Sequence, residues 1–84
     1  MDVVIHPRVR KFINRFGEKE RIIAHLMELS NDPFNKKSGM DIKKMKGREH
    51  DLFRLRIGDM RFEYFIEDDK IWIDEAFMRG RGYR

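Results

Sequence analysis

The chain has 84 residues, of which 40% are hydrophobic and 40% charged, and its formal net charge is +4 with a pI near 9.6. This length and composition predict one compact domain spanning residues 1–84 and exclude a disordered tail. The absence of cysteine excludes disulfides and thiolate zinc sites, while the basic balance favours an anionic partner, most often a nucleic acid.

Targeting and metal-binding patterns are missing from the sequence. No stretch approaches the ~18 apolar residues of a membrane-spanning helix, and the first residues do not resemble a signal peptide. The histidines at positions 6, 25 and 50 have no metal-ligand spacing, and no glycine-rich loop is suited to a nucleotide. We therefore expect a cytoplasmic protein that binds no membrane, no metal and no cofactor.

The first part of the chain predicts a strand and two helices. Residues 3–5 form a short β-branched run, and Pro7 is typical of the first turn of a helix. Apolar residues then recur at helical spacing over 9–16, up to Gly17, and again over 22–29, until Asn31-Asp32-Pro33 ends the pattern. These two segments predict a helical hairpin.

The second part predicts strands. Residues 41–47 suggest a short strand, and three alternating runs follow at 52–57, 60–66 and 71–77. The separating segments are Gly58-Asp59 and the acidic 67–70, which suit the tight turns of an antiparallel meander. The predicted fold class is α+β: an N-terminal strand and a helical hairpin packed on a small, mostly antiparallel sheet.

The two-residue turn at Gly58-Asp59 determines which residues share a face. It pairs Ile57 with Met60, Arg56 with Arg61, Leu55 with Phe62, and Arg54 with Glu63. One face therefore carries the core and the other carries Arg54, Arg56, Arg61 and Glu63, and an Asp68-Asp69 turn would add Phe65 and Trp72 to the arginine face. Like charges placed directly opposite each other, as Arg56 and Arg61 would be, destabilise a β-ladder by up to roughly 1 kcal/mol. This cost suggests an anion that the chain itself does not supply, or another compensation.

Arginine clusters of this kind are phosphate ligands, because the planar guanidinium donates two parallel hydrogen bonds and stays charged. Such a cluster could bind or cleave RNA. Cleavage without a metal needs attack by the 2′-hydroxyl, a base for its proton and cations for the added charge. Tyr83 is the titratable residue other than arginine that we expect near the cluster. The alternative is a solvated face whose arginine stems cover apolar surface, with Tyr83 in a packing role.

With these features the sequence resembles the RelE/ParE superfamily of bacterial and archaeal toxins, and within it the RelE-type messenger-RNA interferases. The resemblance covers nearly the full length. It includes the order strand, helical hairpin, sheet; the segment K-K-M-K-G-x-x-x-x-x-F-R-L-R-I-G-D-M-R from Lys43 to Arg61; and Arg79 followed four residues later by Tyr83.

The resemblance implies a toxin that cleaves messenger RNA on the ribosome by 2′-hydroxyl attack, inhibits translation and is neutralised by a cognate antitoxin. Carried over by position, it implies that Arg54, Arg56 and Arg61 hold the RNA backbone and that Arg79 and Tyr83 act in catalysis. The predicted catalytic residues are Arg61, Arg79 and Tyr83, and the predicted RNA-binding residues are Arg54, Arg56, Lys43, Lys44, Lys46 and Arg81. Family members often have lysine at positions 54 and 56, and a histidine where this chain has Met78. The alternatives are a ParE-type inhibitor of DNA gyrase and a non-catalytic RNA-binding module.

Overall fold

The computed structural model describes residues 1–16, 18–34, 39–47 and 51–80. Within these ranges it contains, in chain order, β1 (Asp2–Ile5), α1 (Pro7–Asn14), α2 (Lys19–Met27), a 3₁₀ turn (Glu28–Ser30), β2 (Ile42–Met45), β3 (Leu52–Ile57), β4 (Met60–Glu67) and β5 (Lys70–Met78). The α+β prediction is confirmed, and so is the order strand, helical hairpin, sheet.

The helical hairpin begins where the sequence predicts. Pro7 occupies the first turn of α1, and Nδ1 of His6 accepts a hydrogen bond of 3.0 Å from the backbone N–H of Arg8, which caps the helix. One apolar stripe of the hairpin and the following turn is buried; its members are Val9, Ile13, Ile22, Leu26 and Leu29. None of the described helices is long and apolar enough to cross a membrane.

The strands form one five-stranded sheet in the order β1-β5-β4-β3-β2. β1 runs parallel to β5, and the other neighbours are antiparallel. Across β3 and β4 the structure has all four pairings predicted from the Gly58-Asp59 turn. Gly58 has a φ of 58°, a left-handed conformation that glycine adopts without steric cost.

The core lies between the helices and one face of the sheet. Phe53 and Tyr64 stack there with ring centroids 5.1 Å apart, and the Tyr64 hydroxyl donates a 2.8 Å hydrogen bond to the carbonyl of Pro33. This bond ties the segment after the 3₁₀ turn to the middle of the sheet. Burial raises the pKa of Tyr64 above its ordinary value. The opposite face of the sheet, which we call the open face, carries the arginines.

A β-bulge interrupts the pairing of β4 with β5. Tyr64 pairs with Ile73, but its neighbour Glu63 pairs with Glu75, so Asp74 is an extra residue in β5. Beyond the bulge, Phe77 lies opposite Arg61. Residues that follow the bulge therefore face the side opposite to the one that strict alternation would give.

Candidate nucleic-acid interface

A cavity of about 310 Å³ lies at one end of the open face, and we call it the arginine cavity. Strands β3, β4 and the end of β5 supply its walls. The lining residues are Arg54, Arg56, Arg61, Phe77, Arg79 and Gly80. The structure thus brings four of the sequence-predicted site residues together around one space.

Among the ion-paired arginines in the described ranges, Arg54 is the most enclosed. Its Nε and Nη2 donate hydrogen bonds of 3.2 Å and 2.8 Å to Oε2 of Glu63, and both side chains are mostly buried, with exposed fractions of 22% and 20%. The guanidinium carbon lies 5.2 Å from the ring centroid of Phe77, in cation–π contact. Arg54 is therefore held both at its edge and on its face.

Arg56 and Arg61 lie directly opposite each other in the ladder, and each has its own compensation. Nη1 of Arg61 donates to the carbonyls of Gly58 and Met60 at 2.9 Å and 3.1 Å, so the turn itself anchors this side chain. Nε of Arg56 lies 3.7 Å from Oδ2 of Asp41 in an exposed pair. The like-charge juxtaposition predicted from the sequence is present, and nearby carbonyls and one carboxylate reduce its cost.

Arg79 is positioned through its backbone. Its N–H donates a 2.6 Å hydrogen bond to the carbonyl of Asp59, which joins the end of β5 to the turn between β3 and β4. Over the described ranges, the structure gives the Arg79 side chain no ion pair. Its side chain lines the arginine cavity.

The three predicted lysines have different surroundings. Lys43 pairs with Arg54 across β2 and β3, so it points to the open face. Lys44 pairs with Phe53 on the helix side, where its Nζ lies 3.1 Å from Oδ2 of Asp51. Lys46 is exposed after the end of β2. The structure therefore brings Lys43 to the arginine face and does not bring Lys44 there.

Tyr83 and Arg81 lie outside the described residues, as does His50, so the roles predicted for the first two remain predictions. Phe65 and Trp72 stack on the open face with centroids 6.4 Å apart. They are four residues along the sheet from Arg61, about 13 Å away at the rise of a strand, and do not line the arginine cavity.

Sequence reasoning missed Phe77, the aromatic residue that lines the arginine cavity, because its position depends on the bulge. It also missed the way Glu63 holds Arg54. In the parts of the chain that the structure describes, no three His, Asp or Glu side chains come together as metal ligands. Four guanidinium groups face this space against the carboxylates of Glu63 and Asp41, so the arginine cavity has an excess of positive charge.

This geometry suits a phosphodiester. Charged, oriented guanidinium groups around a small cavity can bind a phosphate in the ground state and stabilise the extra negative charge of a pentavalent phosphorus in the transition state. Because guanidinium stays protonated at physiological pH, it serves as a cation and a hydrogen-bond donor, and a base must come from another residue.

Among solved structures, the chain is similar to one in the crystal structure of the archaeal RelE-RelB complex from Pyrococcus horikoshii OT3. The TM-score is 0.78 and the sequence identity 29%, and the match covers 96% of this chain and 97% of that chain. This match supports the resemblance to the RelE-type toxin superfamily. No family model and no curated protein matches the sequence.

Proposed function

We propose that this RelE-type chain is the toxin of a toxin–antitoxin pair and a ribosome-dependent endonuclease of messenger RNA. The observation that carries the proposal is the convergence of four arginine side chains on one cavity. Arg54 and Arg61 are fixed by hydrogen bonds rather than extended into solvent. Fixed guanidinium groups are preorganised for one anion, whereas a face that serves only solubility needs no such anchoring.

In the proposed reaction, the 2′-oxygen forms a bond to the adjacent phosphorus and the bond from phosphorus to the 5′-oxygen breaks. Tyr83, as the phenolate, takes the proton from the 2′-hydroxyl, and Arg79 stabilises the departing 5′-oxygen, which takes a proton from Arg79 or from water. Arg61 offsets the charge of the pentavalent intermediate. The products are a 2′,3′-cyclic phosphate and a free 5′-hydroxyl, and no metal or cofactor takes part.

Binding of the RNA strand is assigned to the remaining basic residues. Arg54, Arg56 and Lys43 hold the phosphates next to the cleaved bond, and Lys46 and Arg81 extend the contact. Lys44 belongs to this set by resemblance, but its position beside Asp51 on the helix side makes its contribution the weakest. The substrate is messenger RNA on the ribosome, so the proposed site of action is the cytoplasm.

The proposed second partner is an antitoxin protein. The similar structure is that of a RelE-RelB complex, and the arginine cavity would attract an acidic segment of such a partner. Binding should raise the melting temperature of the toxin, and the affinity should fall as salt rises. An antitoxin that bound with no salt dependence would contradict the electrostatic part of this proposal.

Ribosome toeprinting tests the function as a whole, because of the three candidate functions only a ribosome-dependent nuclease creates new messenger-RNA ends. The parent chain should cut messenger RNA on programmed ribosomes and leave it intact when free. Inhibition of gyrase supercoiling without cleavage would favour the ParE-type alternative. RNA binding with neither effect would indicate a non-catalytic module.

Single-turnover cleavage then separates chemistry from binding. Tyr83→Phe removes only the hydroxyl and should slow cleavage by roughly 10²–10⁴-fold with little change in ribosome affinity. Arg61→Ala should weaken both affinity and rate, because one guanidinium serves ground state and transition state. Arg21→Ala, which removes an exposed charge on α2, is the matched control and should cleave like the parent. Cleavage by Tyr83→Phe at the parent rate would remove Tyr83 from the mechanism, and products with a free 3′-hydroxyl would exclude 2′-hydroxyl attack.

A further inference from the structure

Glu63 lies beside a phosphate site, where a negative charge is unfavourable for an anionic ligand. It is nevertheless mostly buried, and its Oε2 accepts hydrogen bonds from both Nε and Nη2 of Arg54. Simple electrostatics would favour a neutral residue at this position. A carboxylate at this position is therefore explained only if it contributes more to phosphate binding than its repulsion of the phosphate costs.

The shape of the guanidinium group supplies that role. Nε–H and one N–H of Nη2 lie along one edge of the planar group, and Glu63 occupies that edge. The remaining N–H groups, on Nη1 and on the outer side of Nη2, form a parallel fork at the end of the side chain. Such a fork is the arrangement that binds phosphate oxygens in pairs. A carboxylate at the edge and a phosphate at the end can thus be bound at the same time.

We propose that Glu63 is a positioning residue that orients the outer end of the Arg54 guanidinium into the arginine cavity as a two-pronged phosphate ligand. This inference rests on the proposed RNA function. Phe77 completes the support, since its ring contacts the face of the same guanidinium at 5.2 Å. With one edge and one face held, Arg54 loses little conformational entropy when the RNA binds. A lysine could not be held in this way, because its ammonium group has no planar edge to dock.

Glu75 provides a matched control for Glu63. The two carboxylates are cross-strand partners at the bulge, and Oε1 of Glu75 accepts a 3.0 Å hydrogen bond from Nη1 of Arg8 instead of from Arg54. Replacing either glutamate with alanine raises the net charge by one at nearly the same place. General electrostatics predicts that both variants bind RNA more tightly, whereas positioning by Glu63 predicts weaker binding for Glu63→Ala and not for Glu75→Ala.

The experiment measures affinity of the full chain for a short fluorescent single-stranded RNA by anisotropy at fixed ionic strength. Glu63→Ala should weaken binding about 3–10-fold, and Glu75→Ala should leave it unchanged or tighten it. In an Arg54→Ala background, Glu63→Ala should no longer weaken binding. Glu63→Gln keeps an oxygen that can accept a hydrogen bond from Arg54, so the affinity of this variant for RNA should lie between those of Glu63→Ala and the parent. If Glu63→Ala does not fold, Glu63→Gln takes its place in the comparison. Equal affinities for the Glu63 variant and Glu75→Ala would overturn the proposal.

A second measurement separates this inference from the proposed function. The Nε–H resonance of Arg54 in a ¹H–¹⁵N spectrum should be protected from solvent exchange in the parent and in Glu75→Ala, and lost in Glu63→Ala. Equal protection in all three would overturn the positioning of Arg54. If the spectra were as expected but the parent chain bound no RNA, the proposed function would be refuted and the positioning of Arg54 would stand. If the chain bound RNA but did not cleave it on the ribosome, only the nuclease activity would be refuted.

Discussion

Arg54 and Arg56 lie two positions apart on β3 and point to the same face, yet we expect their replacement by alanine to change stability very differently. The Arg54 side chain is 22% exposed and bound to Glu63, which is 20% exposed. The Arg56 side chain is 52% exposed, lies 3.7 Å from the carboxylate of Asp41 and faces Arg61 across the ladder. The two substitutions remove the same charge from one strand.

The magnitudes follow from these contacts. A hydrogen bond to a charged group contributes about 1.5–3 kcal/mol, and a cation–π contact such as the one with Phe77 about 0.5–1 kcal/mol. Some solvent reaches the Arg54 pair, so we expect Arg54→Ala to lower the free energy of unfolding by about 2 kcal/mol. The exposed Arg56 pair contributes about 0–1 kcal/mol, and relief of repulsion from Arg61 offsets it, so Arg56→Ala should stay within about 0.5 kcal/mol of the parent.

Urea unfolding followed by the fluorescence of Trp72, the single tryptophan, measures both values. For a domain of this size, the Arg54→Ala loss corresponds to a fall of roughly 8–16 °C in melting temperature. Both variants should bind RNA more weakly than the parent. Equal losses of stability for the two variants would refute the view that enclosure by Glu63 and Phe77 distinguishes Arg54.

Three further outcomes test the turns, the core and the strand register. Asp69 has a φ of 58°, so Asp69→Gly should raise the free energy of unfolding by about 0.5–1 kcal/mol in thermal melts, whereas Asp69→Ala should not. Burial raises the folded-state pKa of Tyr64, so its contribution to stability is complete below the ordinary tyrosine pKa of about 10 and declines above it as the unfolded chain ionises. Tyr64→Phe should therefore show a shallower loss of stability than the parent from pH 9 to 11, while costing about 1–2 kcal/mol at pH 7 because the Pro33 carbonyl loses its donor. Lys43→Ala should weaken RNA binding and reduce the salt slope by about 0.7, and Lys44→Ala should change both by much less, as anisotropy titrations at several salt concentrations would show.

The register of β3 and β4 could be predicted because a two-residue turn leaves little freedom. Once Gly58-Asp59 is assigned as the loop, each pair of opposite residues follows by counting, and so does the face of every side chain. The same counting from Asp68-Asp69 gives the Phe65–Trp72 pair. Local turn chemistry thus determines much of the candidate site.

The roles of the lysines depend on a longer connection. Because no two-residue turn connects Lys43-Lys44 to β3 in the sequence, their register against β3 could not be counted from the sequence. Adjacent residues of a strand nevertheless point to opposite faces, so only one of these two lysines can lie on the arginine face. Pairing with β3 decides that this residue is Lys44. The interaction of Glu63 with Arg54 is of another kind: pairing predicts their proximity, and only side-chain geometry shows which edge of the guanidinium is occupied.

The bulge at Asp74 is the largest departure from simple counting, and it has a physical cause. Strict pairing from the turn at 68–69 would place Glu75 opposite Phe62, on the face that packs against the helices. Burying a carboxylate without a partner costs several kcal/mol, while a bulge disrupts one position of the ladder. With Asp74 as the extra residue, Ala76 takes the position opposite Phe62 and Glu75 stays on the open face. Two consecutive acids in an otherwise alternating strand are the sequence signal for this shift.

The same shift determines the composition of the arginine cavity. Without it, Phe77 would lie opposite Met60 on the core face, and Arg79, two residues further along, would follow it to the helix side. With it, Phe77 lies opposite Arg61 and contacts Arg54, and Arg79 reaches the cavity from the end of β5. Because keeping Glu75 out of the core and delivering Arg79 to the open face require the same one-residue displacement, the stability of the sheet and the assembly of the candidate site depend on one bulge.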